Sequence, residues 1–245
     1  MSSRAELKQK AKNLLDGKKG KGALMTFLYY LMPFLFAFIP FVGPVVNIIC
    51  MPVLTYGLLK ALIDLKNGEE VGAFDFFTKG FKDFGKVWGV SICTALKMWG
   101  PLLLGIVGYI LMTIGVFSSM ASSQIESSSS ICLIIGWVAA MVSGIWAIPI
   151  TWKYMYSMNE LAYDSSRKSM DIVNTSGSYL IGNRWKAFVL DLSFIGWFFL
   201  VGITFGLITF WLLPYMLVTK ILFYEELSGR NEEPLAEPGT IKTEE

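Results

Sequence analysis

Several stretches of this chain are long enough to cross a bilayer and carry almost no charge, and no other feature restricts the fold as strongly. A membrane-spanning helix needs about 20 apolar residues. The stretches are continuous, whereas the strands of a transmembrane barrel alternate between apolar and polar positions. Charged residues make up 16% of the chain, against about 25% in soluble domains. The sequence therefore predicts an all-α membrane protein.

The apolar stretches predict six transmembrane helices arranged as three hairpins. Within the hairpins, the connectors are Pro40–Pro44, the serine-rich loop Ser118–Ser130 and a turn near Gly206. The six predicted spans are Gly22–Ile39, Val45–Leu65, Val87–Phe117, Ile131–Leu161, Trp185–Phe205 and Leu207–Tyr224.

Lysine and arginine indicate the orientation of the hairpins. They precede the first span and fill the linkers between hairpins, while the connectors inside the hairpins contain none. Cytoplasmic loops carry the excess of these residues, so both termini are predicted to be cytoplasmic. The segment 228–245 contains Pro234, Pro238 and several glutamates and is predicted to be a disordered tail.

The three hairpins read as a threefold repeat inside a single transmembrane domain, residues 1–227. The units cover about 3–65, 70–162 and 165–227 and align on a glycine that precedes each odd-numbered span. Each even-numbered span has a proline that is followed 11 or 12 residues later by an acid. The aligned glycines are Gly17, Gly85 and Gly182, and the proline and acid pairs are Pro52 with Asp64, Pro149 with Glu160, and Pro214 with Glu225 or Glu226.

An amphipathic stretch precedes each hairpin and predicts a helix lying in the membrane interface. The first begins with a capping box formed by Ser3 and Glu6. The expected partner is the bilayer, with anionic headgroups attracting the nearby cations. Such helices either anchor the hairpins or sense and deform the bilayer. Their apolar residues are Leu7, Ala11, Leu14 and Leu15; then Phe74, Phe77, Phe81 and Phe84; and then Met170, Val173 and Leu180.

Three segments resemble the bacterial family called domain of unknown function 975. They are "GNRWKAFVLDLSFIGWFFL" from Gly182, the ending "LFYEEL" with the proline of span six, and the start "SRAELKQKAKNLLDGKKGKGAL". The resemblance covers nearly the whole chain up to Leu227. It implies a six-helix integral membrane protein of the bacterial plasma membrane and implies no activity.

Asp191 is the carboxylate that most needs an explanation, because it lies inside an apolar span, six residues after Trp185. A charge in the membrane needs a partner. Lys97 in span three is the first candidate, and Lys220 in span six is the second. The pair is either a structural link between hairpins or a site for a coupling ion, a proton or a charged substrate. The polar residues equivalent to Asp191 in the other repeats, Thr26 and Thr94, complete the candidate site.

Cations and tryptophans at the predicted membrane boundary form a set of interfacial anchors. They hold each span at its depth through amphipathic side chains. The anchors are Lys18, Lys19, Lys21, Lys86, Trp88, Arg184, Trp185 and Lys186.

The chain lacks residues typical of catalysis. It has no histidine, and its three cysteines have no metal-binding spacing. We expect no enzyme activity, no cofactor, no metal and no nucleic-acid partner. The favoured interpretation is a non-enzymatic membrane module that supports bilayer organisation, or the assembly or export of another, unknown protein component. The alternative is a small transporter or channel using Asp191 and Lys97.

Overall fold

The computed structural model describes residues 2–121 and 127–230. All regular secondary structure in these residues is helical, and they contain no strand. The sequence prediction of an all-helical fold is confirmed for these residues. In chain order the helices are α1 (Arg4–Leu14), α2 (Lys19–Ala37), α3 (Val42–Lys66), α4 (Asp75–Lys82), α5 (Phe84–Lys97), α6 (Trp99–Ala121), α7 (Ser127–Tyr154), α8 (Ser157–Tyr163), α9 (Ser169–Tyr179), α10 (Arg184–Leu192), α11 (Ile195–Ile203) and α12 (Thr209–Ser228).

Four stretches of helix are long and apolar enough to cross a membrane: Val42–Lys66, Trp99–Met120, Ser129–Tyr163 and Arg184–Ile203. They coincide with predicted spans two to five. The helices at the other two predicted spans, α2 and α12, are present, but their crossing of the bilayer stays a prediction.

The predicted odd-numbered spans three and five are interrupted, and so is span four. Helix α5 ends at Lys97, α7 ends at Tyr154 and α10 ends at Leu192, each followed by a new helix within three residues. Only the first interruption has a proline nearby: Pro101 lacks the N–H that would bind the carbonyl of Lys97. Four further prolines lie inside uninterrupted helices: Pro33, Pro52, Pro149 and Pro214.

Two boundaries differ from the sequence prediction. The serine-rich connector is shorter than Ser118–Ser130, because α6 continues to Ala121 and α7 begins at Ser127. The tail predicted from Ser228 begins too early: Ser228 is the last residue of α12, and the Arg230 guanidinium lies 4.8 Å from the centre of the Tyr163 ring. Residues 122–126 and 231–245 lie outside the described residues.

The chain divides into two compact units. Unit one contains the described residues of Met1–Trp88, Leu161–Ser165 and Val189–Glu245, and unit two contains those of Gly89–Glu160 and Ser166–Phe188.

In unit one, α3 and α12 form the centre. Helix α2 packs on both of them, α1 packs on α12, and α4 packs on α3. The C-terminal halves of the two central helices are buried, from Val53 to Leu65 and from Val218 to Glu225 in alternating turns. The first half of α3 is instead exposed, with Val45 and Ile48 more than half accessible. Protein thus covers one half of α3, while the other half presents apolar side chains outward.

In unit two, α6 and α7 form a tight antiparallel hairpin, and α9 packs on α7. Small residues allow the close approach: a Cβ atom on Gly136 would lie 2.8 Å from the carbonyl oxygen of Gly108. Ala140 belongs to the same contact, whereas Gly144 faces open space.

The helix predicted before each hairpin is present as α1, α4 and α9. The capping box is confirmed at the start of α1, where the side chains and backbone N–H groups of Ser3 and Glu6 bind reciprocally. Gly17 and Gly182 adopt positive φ angles of 74° and 82° in the turns after α1 and α9. Gly85, the third glycine of the predicted repeat, lies inside α5 instead and forms no such turn.

Candidate functional site: a carboxylate beside an interrupted span

Asp191 lies in the last turn of α10, immediately before the interruption that separates this helix from α11. The backbone there forms turns that are closed by hydrogen bonds between residues three positions apart. The N–H of Phe194 donates to the carbonyl of Asp191 at 3.0 Å, and the N–H of Trp197 donates to that of Phe194 at 2.9 Å. Ser193 Oγ donates to the carbonyl of Leu190 at 2.5 Å. The α-helical hydrogen-bond ladder is therefore replaced by shorter-range bonds beside the carboxylate.

Asp191 forms an ion pair with Lys220, the second of its two predicted partners. Lys220 Nζ lies 2.8 Å from Asp191 Oδ1, and each side chain is 23% exposed. The pair joins α10 to α12 inside unit one. Lys97, the first predicted partner, is exposed at the end of α5 in unit two. Its pairing with Asp191 stays a prediction.

Lys8 of α1 also reaches the interruption, a contact that the sequence did not reveal. Its Nζ donates to the carbonyl of Ser193 at 2.8 Å and lies 4.1 Å from the centre of the Phe194 ring. Phe194 is fully buried and meets Tyr215 of α12 edge-on, with 5.7 Å between ring centres. The only available signal was the position of Lys8 next to Leu7, at the border of the apolar face of α1.

The environment of Lys8 disfavours its charge. Partial burial lowers the pKa of Lys8, and the nearby positive charge of Arg4 lowers it further. A charged ammonium in such a place is held by acceptors, here the Ser193 carbonyl and the face of an aromatic ring. Lys8, Ser193, Phe194, Asp191 and Lys220 thus form one cluster, which we call the α10–α11 cluster, linking α1, α10 and α12.

The two threonines of the predicted site lie elsewhere. Thr26 is fully buried in α2, and its hydroxyl donates to the carbonyl of Gly22 in the same helix at 2.9 Å. Thr94 is half-buried in α5 of unit two. The predicted repeat aligns these threonines with Asp191, and of the three aligned residues only Asp191 carries a charge.

The predicted interfacial anchors make varied contacts. Lys18 Nζ donates to the carbonyl of Leu65 at 2.9 Å, Lys19 pairs with Asp16 at 2.7 Å, and the indole of Trp88 donates to the carbonyl of Ile49 at 3.2 Å. In unit two, Trp185 is 72% exposed. Arg184 and Lys86 are half-buried, and Lys21 and Lys186 are exposed.

The acids at the ends of the even-numbered spans also form ion pairs. Asp64 pairs with Lys79 of α4 at 2.5 Å, and Glu160 pairs with Arg167, which precedes α9, at 2.8 Å. Glu225 binds Lys66 at the end of α3 and accepts from the Tyr163 hydroxyl. These contacts fasten two of the acids to cations that follow them in the chain and fasten Glu225 to α3.

Two apolar grooves run along the α6–α7 hairpin. One has a volume of about 280 Å³ and is lined by Pro101, Gly105 and Ser143 among others, and the second, of about 350 Å³, lies next to Met112 and Phe117. No residue of the predicted polar site lines either groove. Within the described residues, no group of three or more cysteine, aspartate and glutamate side chains could hold a metal ion.

The sequence profile of one protein family, described as "Protein of unknown function (DUF975)", matches residues 1–231. No curated protein matches the chain, and no solved structure does.

Proposed function

The chain belongs to this family of proteins of unknown function, and from that premise we propose that it is a non-enzymatic membrane module. It crosses the bacterial plasma membrane six times as three hairpins, with both termini in the cytoplasm. Its role is to support bilayer organisation, or the assembly or export of another component. The four apolar helices and the placement of cations support the membrane location.

The α10–α11 cluster is the observation on which this proposal depends. The carboxylate inside the fifth span is held by Lys220, and the interruption next to it is held by Lys8. All three groups belong to the same unit. A charge pair used in this way fastens helices in one arrangement, which is the best attested role of buried charges that have no chemistry of their own.

The surface helices support the same interpretation. The apolar residues Leu7 and Ala11 of α1 are buried in unit one, and Ile172 and Val173 of α9 are buried in unit two. Helix α1 packs on α12 and α9 packs on α7, so each of them braces a hairpin other than the one that it precedes. This contact is what a scaffold requires, and it leaves their charged faces exposed.

A transporter or channel is the alternative, and the interruption between α10 and α11 is the feature that favours it. Interrupted helices line ion and substrate sites in transporters. Asp191 and Lys220 keep 23% of their side-chain surface accessible, so an ion could reach them. In this alternative the carboxylate exchanges its lysine for a transported cation or proton.

Two experiments separate these functions. Protein purified in lipid nanodiscs is analysed by mass spectrometry for lipids and proteins that stay bound. In parallel, proton uptake into proteoliposomes is followed with trapped pyranine for the wild type and Asp191→Asn. A module retains lipid or a protein component and gives no uptake above empty vesicles. Uptake that disappears in Asp191→Asn would establish the transporter instead.

A further inference from the structure

Helix α4 carries two sets of apolar residues, and among the described residues only one set is buried. The inner face is formed by Phe76, which is fully buried, and Gly80. A Cβ atom on Gly80 would lie 2.4 Å from the carbonyl oxygen of Val53 in α3. The backbones of α3 and α4 are thus in direct contact, and this contact determines which way the outer face of α4 points.

The outer face carries a stripe of phenylalanines that continues into α5. We call Phe74, Phe77, Phe81 and Phe84 the aromatic stripe. Phe77 and Phe81 have ring centres 4.5 Å apart, and Phe81 and Phe84 have ring centres 6.1 Å apart in a stacked arrangement. Phe74 is 58% exposed, and Phe81 and Phe84 are 36% and 38% exposed. The rings contact each other and remain partly exposed to the outside.

The exposed aromatic stripe distinguishes α4 from the other two surface helices. In α1 the predicted apolar residues Leu7, Ala11 and Leu15 are 5% exposed or less. In α9, Val173 and the following Leu180 are fully buried, and Met170 is 37% exposed. Among the described surface helices, α4 is therefore the one that keeps a continuous aromatic face for something outside the chain.

The charged side chains of α4 and of Asp83, the residue that follows it, point in different directions. Asp83 points inward, where it accepts from the Tyr56 hydroxyl at 2.7 Å and from Lys60 at 3.3 Å. Lys79 pairs with Asp64. Lys82 is exposed next to the stripe. The outward side thus combines aromatic rings with the cation of Lys82. Asp83 is held inside the protein, and Asp75 in the first turn of α4 accepts from the backbone N–H of Gly72 at 2.9 Å.

The stripe also adjoins the exposed apolar half of α3. Trp88, one turn into α5, donates its indole N–H to the carbonyl of Ile49 in α3. Ile48 of α3 is 67% exposed, and Ile49 is 40% exposed. The aromatic stripe and the exposed half of α3 are thus neighbours along the same pair of helices.

From these contacts we infer that the aromatic stripe is seated in the boundary between headgroups and acyl chains of an anionic leaflet, with Lys82 bound to lipid phosphate. Aromatic rings favour this boundary, amphipathic helices bury their apolar face about 5–10 Å into it, and cations near an anionic surface strengthen the binding. The inference rests on the proposed membrane module and specifies its lipid-binding element. Helices α1 and α9 pack against the rest of the protein, and α4 binds the bilayer surface.

Spin labels in the full chain test this placement. Cys50, Cys93 and Cys132 are first replaced by serine, and a nitroxide is attached at Phe81→Cys or, as a matched surface-helix control, at Asn13→Cys on the exposed face of α1. In nanodiscs with anionic lipid, the label at position 81 should collide more with oxygen than with a water-soluble nickel complex, and the label at position 13 should show the reverse. Adding Lys82→Glu should make position 81 shallower in anionic nanodiscs and leave it unchanged in zwitterionic ones.

Two results would overturn the inference while leaving the membrane module standing. A label at position 81 as accessible to the nickel complex as that at position 13 would place the stripe in water. A label immobilised and shielded from both reagents would show that protein, such as a second copy of the chain, covers it. If instead labels at Ile48→Cys are also in water, the membrane placement of the whole unit fails, and the proposed function fails with it.

Discussion

Gly57 of α3 lies against the backbone carbonyl of Phe76 in α4, so close that a Cβ atom on the glycine would come within 1.8 Å of that oxygen. The reciprocal contact, Gly80 against Val53, lies one turn towards the N-terminus of α3 and one turn towards the C-terminus of α4. Two glycines thus allow α4 to lie directly on α3. The orientation of the aromatic stripe depends on this contact, so its removal should affect both stability and lipid binding.

Gly57→Ala should destabilise unit one by about 1–3 kcal/mol, the usual cost of overpacking a well-filled contact. The added methyl group cannot fit unless α4 moves away from α3. Thermal unfolding in detergent, followed by tryptophan fluorescence, should show a lower midpoint. Gly85→Ala is the matched control, because Gly85 is helical and has nothing within 4 Å of its Cβ position. It should keep or slightly raise the midpoint, and an equal loss in both variants would contradict the explanation.

The link between Asp191 and Lys220 should appear as energetic coupling. Each side chain is only 23% exposed, so Asp191→Asn or Lys220→Met alone should cost about 1–3 kcal/mol, between the values for exposed and buried pairs. The double variant should lose clearly less than the sum of the two. Unfolding midpoints of the four proteins measure this.

Lys97→Met provides the control for this comparison of the single and double variants. Since Lys97 was the first partner expected from the sequence, its combination with Asp191→Asn decides between the two lysines. Additive effects for Lys97 together with coupling for Lys220 would confirm the observed pair. Coupling to Lys97 alone would show that the carboxylate uses the other lysine in the membrane.

Local patterns in the sequence were sufficient to locate most helices and their buried faces. The spacing of Leu7 and Ala11 predicted the buried side of α1, and Ser3 with Glu6 predicted its start, because both features depend on residues within one or two turns. The same reasoning could only suggest two lysines as candidate ion-pair partners of Asp191. Position along a helix determines depth in the bilayer, but it does not determine which helices are neighbours.

The interruptions of the spans were harder to predict for a related reason. Proline is the usual cause of a break in a helix, yet four prolines lie within continuous helices and the break at Ser193–Phe194 has none. That break is held by Lys8 from the other end of the chain. A contact over such a sequence distance leaves no local pattern. The outward direction of the aromatic stripe likewise depends on the packing of α4 against α3.

Asp83 should make the protein sensitive to acid. Burial raises the pKa of Asp83, but hydrogen bonds from Tyr56 and Lys60 outweigh it and hold the pKa below its ordinary value of 3.8. Because the folded pKa is below the unfolded one, the stabilisation is complete above pH 3.8 and is lost as the pH falls through the folded value.

The test compares unfolding midpoints from about pH 6 to about pH 2, the range in which carboxylates titrate. Asp83→Asn should have a lower midpoint than the wild type at the upper end, and the difference should shrink on acidification. Asp171→Asn, at an exposed position of α9, is the control and should follow the wild type at every pH. Parallel curves for Asp83→Asn and wild type would contradict a stabilising role for this carboxylate.

Replacing Lys8 by methionine should loosen the junction of α10 and α11. The variant keeps the apolar part of the side chain but removes the donor to the Ser193 carbonyl and the cation over Phe194. For a half-exposed lysine we expect a loss of about 1 kcal/mol, or roughly fivefold faster exchange of the amides that close the interruption. Hydrogen exchange with mass spectrometry in nanodiscs should detect this in peptides containing Phe194 and Trp197. Lys10→Met, at an exposed position of the same helix, should leave these peptides unchanged. If both variants exchange alike, α1 does not hold the interruption, and the α10–α11 cluster is reduced to the pair of Asp191 with Lys220.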